Sequence, residues 1–174
     1  MKDLLRLKTS INQEIETALN EQIKMEASAS GSYLAKAAWC DANGFDQSAE
    51  YFHKQSEEER EHMLRIFNFI NDMGGHAISP EINRVTVEYE NFRSVFEDAL
   101  EQEIAVTQSL SRIAAQCLRI GDFITFEFLQ WFFKEQREEE YKARRALELF
   151  EVIGEEGIGR YTIDKAVLKI EYKG

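Results

Sequence analysis

The stretch Ser56-Glu57-Glu58-Glu59-Arg60-Glu61-His62 decides the fold, because it places a glutamate and a histidine three positions apart in a helix-compatible run. Residues at this spacing on a helix point in the same direction, about one turn apart. Glu59 and His62 share their face with the apolar residues Phe52 and Ile66, so we expect this face to turn inward. A buried carboxylate and imidazole need a partner that offsets their desolvation, and a divalent metal ion is a strong one. The stretch therefore predicts a helix that carries metal ligands on its inner face.

The spacing of apolar residues predicts three more long helices around this one. Thr9 or Ser10 is the predicted N-cap of the first helix, and Asp122 is the predicted N-cap of the fourth. The four predicted helices run from about 9 to 41, from about 45 to 74, from about 94 to 121 and from 122 to about 154. Each would hold roughly 25 residues or more and be ~40 Å long, which is typical of an elongated four-helix bundle.

The connections between these helices predict the topology. The turns at 42–44 and at Gly121 are very short, so the helices that they join must be antiparallel. The segment 74–93 holds the single proline, Pro80, and the β-like run 85–87. At roughly 3.3 Å per residue it can travel the length of the bundle. We therefore predict an all-α four-helix bundle of two hairpins joined by one long crossover.

A chain of 174 residues suits one domain with a full core, so we predict a single domain over 1–174 with the bundle at about 9–153. A short fifth helix is predicted at about 162–169, after the glycine-rich hinge 154–159. It is too short to be stable alone. Its apolar side consists of Ile163, Ala166, Val167 and Ile170. The helix cannot bury these residues alone, so we expect it to pack on another part of the protein.

Composition limits the classes of partner. The formal net charge of −11 argues against nucleic acid and anionic membranes and suits the attraction of cations. The sequence contains no run of 18 apolar residues, and residues 1–6 lack the apolar core of a signal peptide, so a cytoplasmic protein is expected. Cys40 and Cys117 form no C-x-x-C pair and fall on apolar helix faces, which predicts buried free thiols. His53 and His76 follow no pattern and are predicted at the surface.

Each predicted long helix places one carboxylate on its apolar stripe near mid-length: Glu26, Glu59, Glu103 and Glu139. Four like charges in one core would repel each other and take up protons, whereas two divalent cations would neutralise them. The other interpretation is that these acids lie on solvated faces of helices whose register drifts. The pattern alone leaves both interpretations open.

Beyond these patterns, the chain resembles the prokaryotic non-haem ferritins along nearly its whole length. The resemblance is carried by Met25-Glu26 through Tyr33, Ala38-Trp39-Cys40, Glu58-Glu59-Arg60-Glu61-His62-Met63, Phe128-Leu129-Gln130-Trp131, Glu135-Gln136-Arg137-Glu138-Glu139-Glu140 and Tyr161-Thr162-Ile163-Asp164-Lys165.

This resemblance implies two iron sites in each chain. Glu26, Glu59 and His62 would hold the first iron, and Glu59 would bridge to a second iron completed by Glu103 and Glu139.

Further residues are implied around this pair. Gln136 would support the centre, and Tyr33 would lie close by, either as an electron or hydrogen-bond donor or as an ordinary core tyrosine. A third, inner iron site, or else a solvated inner face, is suggested by Glu58, Glu135 and Glu138, with Glu139 shared.

Departures from related families narrow the resemblance. The fourth helix carries Glu139-x-x-Lys142, so the second Glu-x-x-His of bacterioferritins, rubrerythrins and di-iron oxygenases is missing. Arg60 stands where a bacterioferritin has its haem-ligating methionine, so no haem is expected. The mini-ferritins use a different ligand arrangement and lack the fifth helix.

The function implied is iron storage and detoxification, with Fe(II) oxidised by O2 or H2O2 and kept as ferric mineral inside a cage of 24 identical subunits. Two other classes remain open on the residues. One is a di-iron or di-manganese oxidoreductase or peroxide scavenger, and the other is an iron-buffering bundle without oxidase activity.

Overall fold

The computed structural model describes residues 9–81 and 84–174. Residues 1–8, which entered the prediction of a cytoplasmic location, and residues 82–83 of the crossover lie outside the described residues. The helices are α1 (Gln13–Ala42), α2 (Asp46–Asp72), α3 (Phe92–Ile120), α4 (Phe123–Ile153) and α5 (Gly159–Val167). The prediction of four long helices and a short fifth one is confirmed.

Two helix starts differ from the prediction because other side chains act as caps. The Asn12 side chain accepts a hydrogen bond from the backbone N–H of Glu14 at 2.8 Å and caps α1. The backbone N–H of Ser10 donates instead to the carbonyl of Met73, so Ser10 ties the chain to the end of α2. The prediction of Thr9 or Ser10 as the N-cap is therefore wrong. α3 starts at Phe92, because Asn91 forms a reciprocal capping box with Ser94.

The helices form two antiparallel hairpins, α1 with α2 and α3 with α4, and α1 also packs on α3. Gly121, between α3 and α4, adopts a φ of +76°, which favours glycine and ends α3 sharply. The described residues of the crossover, 75–81 and 84–89, have no regular secondary structure, so the β-like run does not form a strand. Asn20 of α1 fastens the crossover through hydrogen bonds with the backbone of His76 and Ile78.

The core consists of two apolar clusters with a polar layer between them. One cluster contains Leu19, Ile66 and Leu110, and the other contains Phe52 and Phe96. On every long helix the mid-length carboxylate falls between the two clusters, and each of these four side chains is buried. The prediction that these acids face inward is therefore confirmed, and the interpretation as solvated faces is wrong for them.

α5 packs on α2 and α4. Its Ile163 and Val167 are fully buried within the same chain. Asp164 accepts hydrogen bonds from the backbone N–H and the hydroxyl of Ser48, each at 2.8 Å, and so caps the start of α2 from a distant segment. Because α5 begins at Gly159, three residues before the predicted start, Asp164 lies in its middle.

The two cysteines and two of the histidines lie in the environments predicted for them. Cys40 and Cys117 are buried free thiols, as predicted, and His53 and His76 are exposed. Within the described part of the chain, no helix combines the length and the apolar character needed to cross a membrane.

Candidate metal centre

Glu26, Glu59 and His62 come together in the polar layer. Each offers one ligand atom, and these atoms lie within 4.8 Å of one another. The three residues are at most 4% exposed. Glu26 Oε2, Glu59 Oε2 and His62 Nδ1 have no hydrogen-bond partner among the described residues. Buried polar atoms without partners are costly, so these atoms are available as ligands for a cation.

Neighbouring side chains hold two of the three ligands in place. Gln22, one turn before Glu26, donates its amide to Glu26 Oε1 at 2.7 Å and leaves Oε2 free. The imidazole of His62 meets the rings of Trp131 and Phe132 edge-on, at centroid distances of 5.4 and 5.9 Å. The ring is thereby packed on its apolar side, while His62 Nδ1 lies 3.5 Å from Glu59 Oε2.

Glu103 differs from this trio, because both of its carboxylate oxygens accept hydrogen bonds. The hydroxyl of Tyr33 donates to Oε1 in a short contact. The amide of Gln136 donates to Oε2 at 3.0 Å and also lies within hydrogen-bond distance of the Glu103 carbonyl and of the Thr107 hydroxyl. The structure thus places both residues that were predicted near the centre, Tyr33 and Gln136, on the carboxylate of Glu103.

Glu139 is held by a lysine on one side only. Lys142 Nζ lies 3.1 Å from Glu139 Oε1, while Glu139 Oε2 is buried and has no partner within residues 9–81 and 84–174. The same ammonium lies 2.9 Å from Glu138 Oε1 and 3.9 Å from Glu58 Oε2. Of the predicted inner acids, Glu58 and Glu138 therefore meet at Lys142. Glu135 is partly buried on the same face of α4, one turn earlier.

The electrostatics of the first trio favour protonated carboxyls in the absence of metal. Burial, followed by the negative charge of Glu59, raises the pKa of Glu26 well above its usual value. Burial, followed by the charge of Glu103, raises the pKa of Glu59 in the same way. A metal ion that binds here must displace protons, so its affinity will depend on pH.

The other two carboxyls are shifted less, because the protein supplies them with donors. Burial raises the pKa of Glu103, and the hydrogen bonds from Tyr33 and Gln136 oppose this rise. Burial raises the pKa of Glu139 to about 7, against the opposing effect of Lys142. For Lys142 burial acts to lower the pKa, but the surrounding carboxylates outweigh it, so its pKa is raised and the ammonium stays charged.

Sequence reasoning missed three residues of this site. Gln22 lies four positions before Glu26, and Thr107 lies four positions after Glu103, so helical spacing could have indicated both. Lys142 was considered only as the residue that stands where related families have a histidine. Its spacing from Glu138 and Glu139 was a usable signal, but its contact with Glu58 depends on another helix.

Comparisons with known proteins agree with this arrangement. A family model described as the ferritin-like domain matches residues 16–153. The bacterial non-heme ferritin of Staphylococcus epidermidis is 36% identical over 155 residues, which cover 89% of this chain and 93% of the relative. The probable bacterial non-heme ferritin-like protein of Haemophilus influenzae is 32% identical over 155 residues, with coverages of 89% and 94%.

A solved structure shows the same likeness. The open pore ferritin from the hyperthermophilic archaeon Archaeoglobus fulgidus superposes with a TM-score of 0.89 at 29% identity, covering 93% of this chain and 99% of that chain. The range matched by the family model includes every residue of the centre described above. The predicted resemblance is therefore confirmed, and the chain belongs to the ferritin family.

Proposed function

We propose that this protein stores iron and that it oxidises the incoming Fe(II) at the carboxylate layer of its bundle. Membership of the ferritin family supports iron storage. The observation that carries the oxidation site is the buried trio of Glu26, Glu59 and His62. The trio offers three ligand atoms within 4.8 Å of one another, and each of its side chains has a buried polar atom with no partner among the residues described. Fe(II) is a substrate here, since it enters, is oxidised and is stored.

The residues divide between two Fe(II) ions. Glu26, Glu59 and His62 would hold the first ion, and Glu103 and Glu139 the second, with Glu59 shared between them. Two adjacent ions can each give one electron to the same O2 molecule, which takes up two protons and leaves as H2O2. With H2O2 as the oxidant, the two Fe(II) ions give one electron each, the O–O bond breaks, and two protons are taken up to form two water molecules.

The ligand set favours oxidation of the ions that it binds. Four hard carboxylates with a single imidazole stabilise Fe(III) and hold Fe(II) only moderately. We propose that Fe(III) then moves inward as ferric mineral and that Glu58, Glu135 and Glu138, with Glu139 shared, form a transit site on that route.

A homo-oligomeric cage of 24 subunits is proposed as the storage compartment, with α5 around its four-fold axis. Exposed apolar side chains occur at both ends of α4, which is the pattern expected of surfaces that bind another subunit. They include Leu118, Phe123 and Ile124 at one end and Val152, Ile158 and Tyr161 at the other.

The native mass of the intact protein at micromolar concentration tests the cage, and a monomer or dimer as the only species contradicts it. Truncation after Gly157 should weaken the assembly or its retention of iron.

One cavity bears on the alternative of a di-iron or di-manganese oxidoreductase that acts on a small molecule or peroxide. This cavity, of about 560 Å³, lies between α1, α3 and the crossover, and its lining includes Lys24, Arg84 and Asp98 but none of the five proposed ligands, so it does not favour that alternative. A cytoplasmic location stays a prediction.

Stopped-flow oxidation of Fe(II) by the metal-free protein, with O2 uptake followed on the same sample, tests the proposal. We expect a fast phase that consumes two Fe(II) per chain, followed by slower turnover. Fe(II) binding with O2 uptake no faster than in buffer would contradict the oxidase and leave an iron-buffering bundle.

A further inference from the structure

Lys142 fills a space that three carboxylates enclose. Its ammonium lies 2.9 Å from Glu138 Oε1, 3.1 Å from Glu139 Oε1 and 3.9 Å from Glu58 Oε2, and its side chain is 15% exposed. Two of these acids come from α4 and one from α2. An ammonium has three donors and no acceptor, so Lys142 can bond to Glu138 and Glu139 while it attracts Glu58 through charge alone.

These are the oxygens that a metal ion would need at the inner acids. A divalent ion binds carboxylate oxygens at about 2.1 Å, and an ion at that distance from Glu138 Oε1 and Glu139 Oε1 would come close to the Lys142 ammonium. Two like charges at such a short distance repel strongly. The ion and the ammonium therefore cannot occupy this place together.

We propose that Lys142 is a tethered cation of the group Glu58, Glu138 and Glu139, and that it competes with a third metal ion there while leaving the two-metal centre open. The proposal rests on the proposed function, because it takes the neighbouring ligands to be a metal centre.

The same contact directs Glu139. Lys142 engages Oε1, and the buried Oε2 has no partner among the described residues. Glu139 Oε2 is thus free to bind a metal ion of the two-metal centre, whereas Glu139 Oε1 is already bound to Lys142. An incoming third ion has to detach the lysine from Glu139 before it can use that second oxygen. Lys142 is therefore a positioning residue that separates the two functions of a shared carboxylate.

Calorimetric titration of the metal-free protein with Zn(II), which undergoes no redox change, tests the proposal. We expect the wild-type protein to bind two ions per chain and the Lys142→Met variant to bind a third, with an affinity at that place raised at least about tenfold. Lys142→Gln, which also lacks the charge, should behave like Lys142→Met. The third ion should be lost again when Glu138→Gln is combined with Lys142→Met.

Lys54→Met is the matched control, because Lys54 pairs with Glu50 on the exposed face of α2. It should bind Zn(II) like the wild-type protein. Crystals of Lys142→Met soaked in Zn(II) should show an anomalous peak between Glu138 and Glu58. Equal numbers and affinities of ions in the wild-type protein and both Lys142 variants would overturn the role of Lys142 and leave the two-metal centre standing. A wild-type protein that bound no Zn(II) would instead contradict the proposed function.

Discussion

The two hairpins both contribute carboxylates to one polar layer, but these carboxylates differ in how many of their oxygens the protein itself binds. On the α1/α2 side, Glu26, Glu59 and His62 each keep a buried polar atom that has no partner in the described part of the chain. On the α3/α4 side, Glu103 has a donor on each oxygen, and Glu139 has Lys142 on one of its two oxygens. The first half therefore offers free ligand atoms to a cation, whereas the second half is largely satisfied by the protein itself. The difference predicts that a first metal ion enters the α1/α2 half and gains most of the binding free energy there.

The largest effect is expected from removing a ligand on the α1/α2 side. His62→Ala or Glu59→Ala should lower the rate of the fast oxidation phase by roughly 100-fold or more, because even the loss of a residue that only supports a ligand costs about 10–100-fold in metal affinity. Helical content by circular dichroism should stay close to that of the wild-type protein. His53→Ala, on the exposed face of α2, is the control and should leave the rate unchanged. Initial rates equal to the wild-type rate in the Glu59 and His62 variants would contradict the role of these residues as metal ligands.

A pH effect on the metal-free protein is expected next in size. Since burial raises the pKa of Glu139 to about 7, its folded form favours the protonated carboxyl. Its contribution is most favourable below the unfolded pKa and is lost as the pH rises from about 4.5 through 7. The unfolding free energy of the metal-free protein should fall over this interval by roughly 3 kcal/mol from Glu139, and its melting temperature should fall with it.

The Glu139→Gln variant should lose less stability over the same pH interval. Zn(II) should raise the melting temperature of the wild-type protein again above pH 7. Glu50→Gln at the surface is the control and should follow the wild-type curve. A melting temperature of the metal-free wild-type protein that rises from pH 5 to 8 would contradict the raised pKa of Glu139.

The amide of Gln136, which donates to Glu103, allows the binding of metal to the two halves to be tested separately. Gln136→Leu removes the amide that holds Glu103 Oε2, so the second Zn(II) ion should bind about tenfold more weakly. The first ion should keep its affinity within about threefold, because Gln136 contacts none of its three ligands. Calorimetry resolves the two events. An equal loss at both ions would show that the halves act as one unit.

The smallest effect is expected at Tyr33. Tyr33→Phe removes the O–H donor to Glu103 Oε1 but keeps the ring that packs on Phe52. A hydrogen bond of about 1 kcal/mol corresponds to roughly fivefold weaker binding of the second ion. If Tyr33 also supplies an electron, the ratio of Fe(II) oxidised to O2 consumed should change in single-turnover experiments. An unchanged ratio with weaker binding assigns Tyr33 to hydrogen bonding alone.

Much of the fold and the ligand set could be predicted, because helical periodicity is a local property. The stripes that placed Glu26 and Glu103 among apolar neighbours depend only on residues within a few turns of the same helix. The end of α3 at Gly121 also follows from a local rule, since glycine accepts the positive φ found there. Prediction was less accurate at the start of α1, where several residues can cap and Ser10 is engaged by Met73, far along the chain.

The sequence by itself therefore determined the helices, their inward faces and the presence of one carboxylate on each, because side-chain direction repeats every 3.6 residues. Only the tertiary structure decided which oxygens remain free. The contacts of Lys142 with Glu58, of Gln136 with Glu103 and of Asp164 with Ser48 each join different helices. Their distances depend on how the helices pack, and packing is set by the whole core rather than by any local spacing.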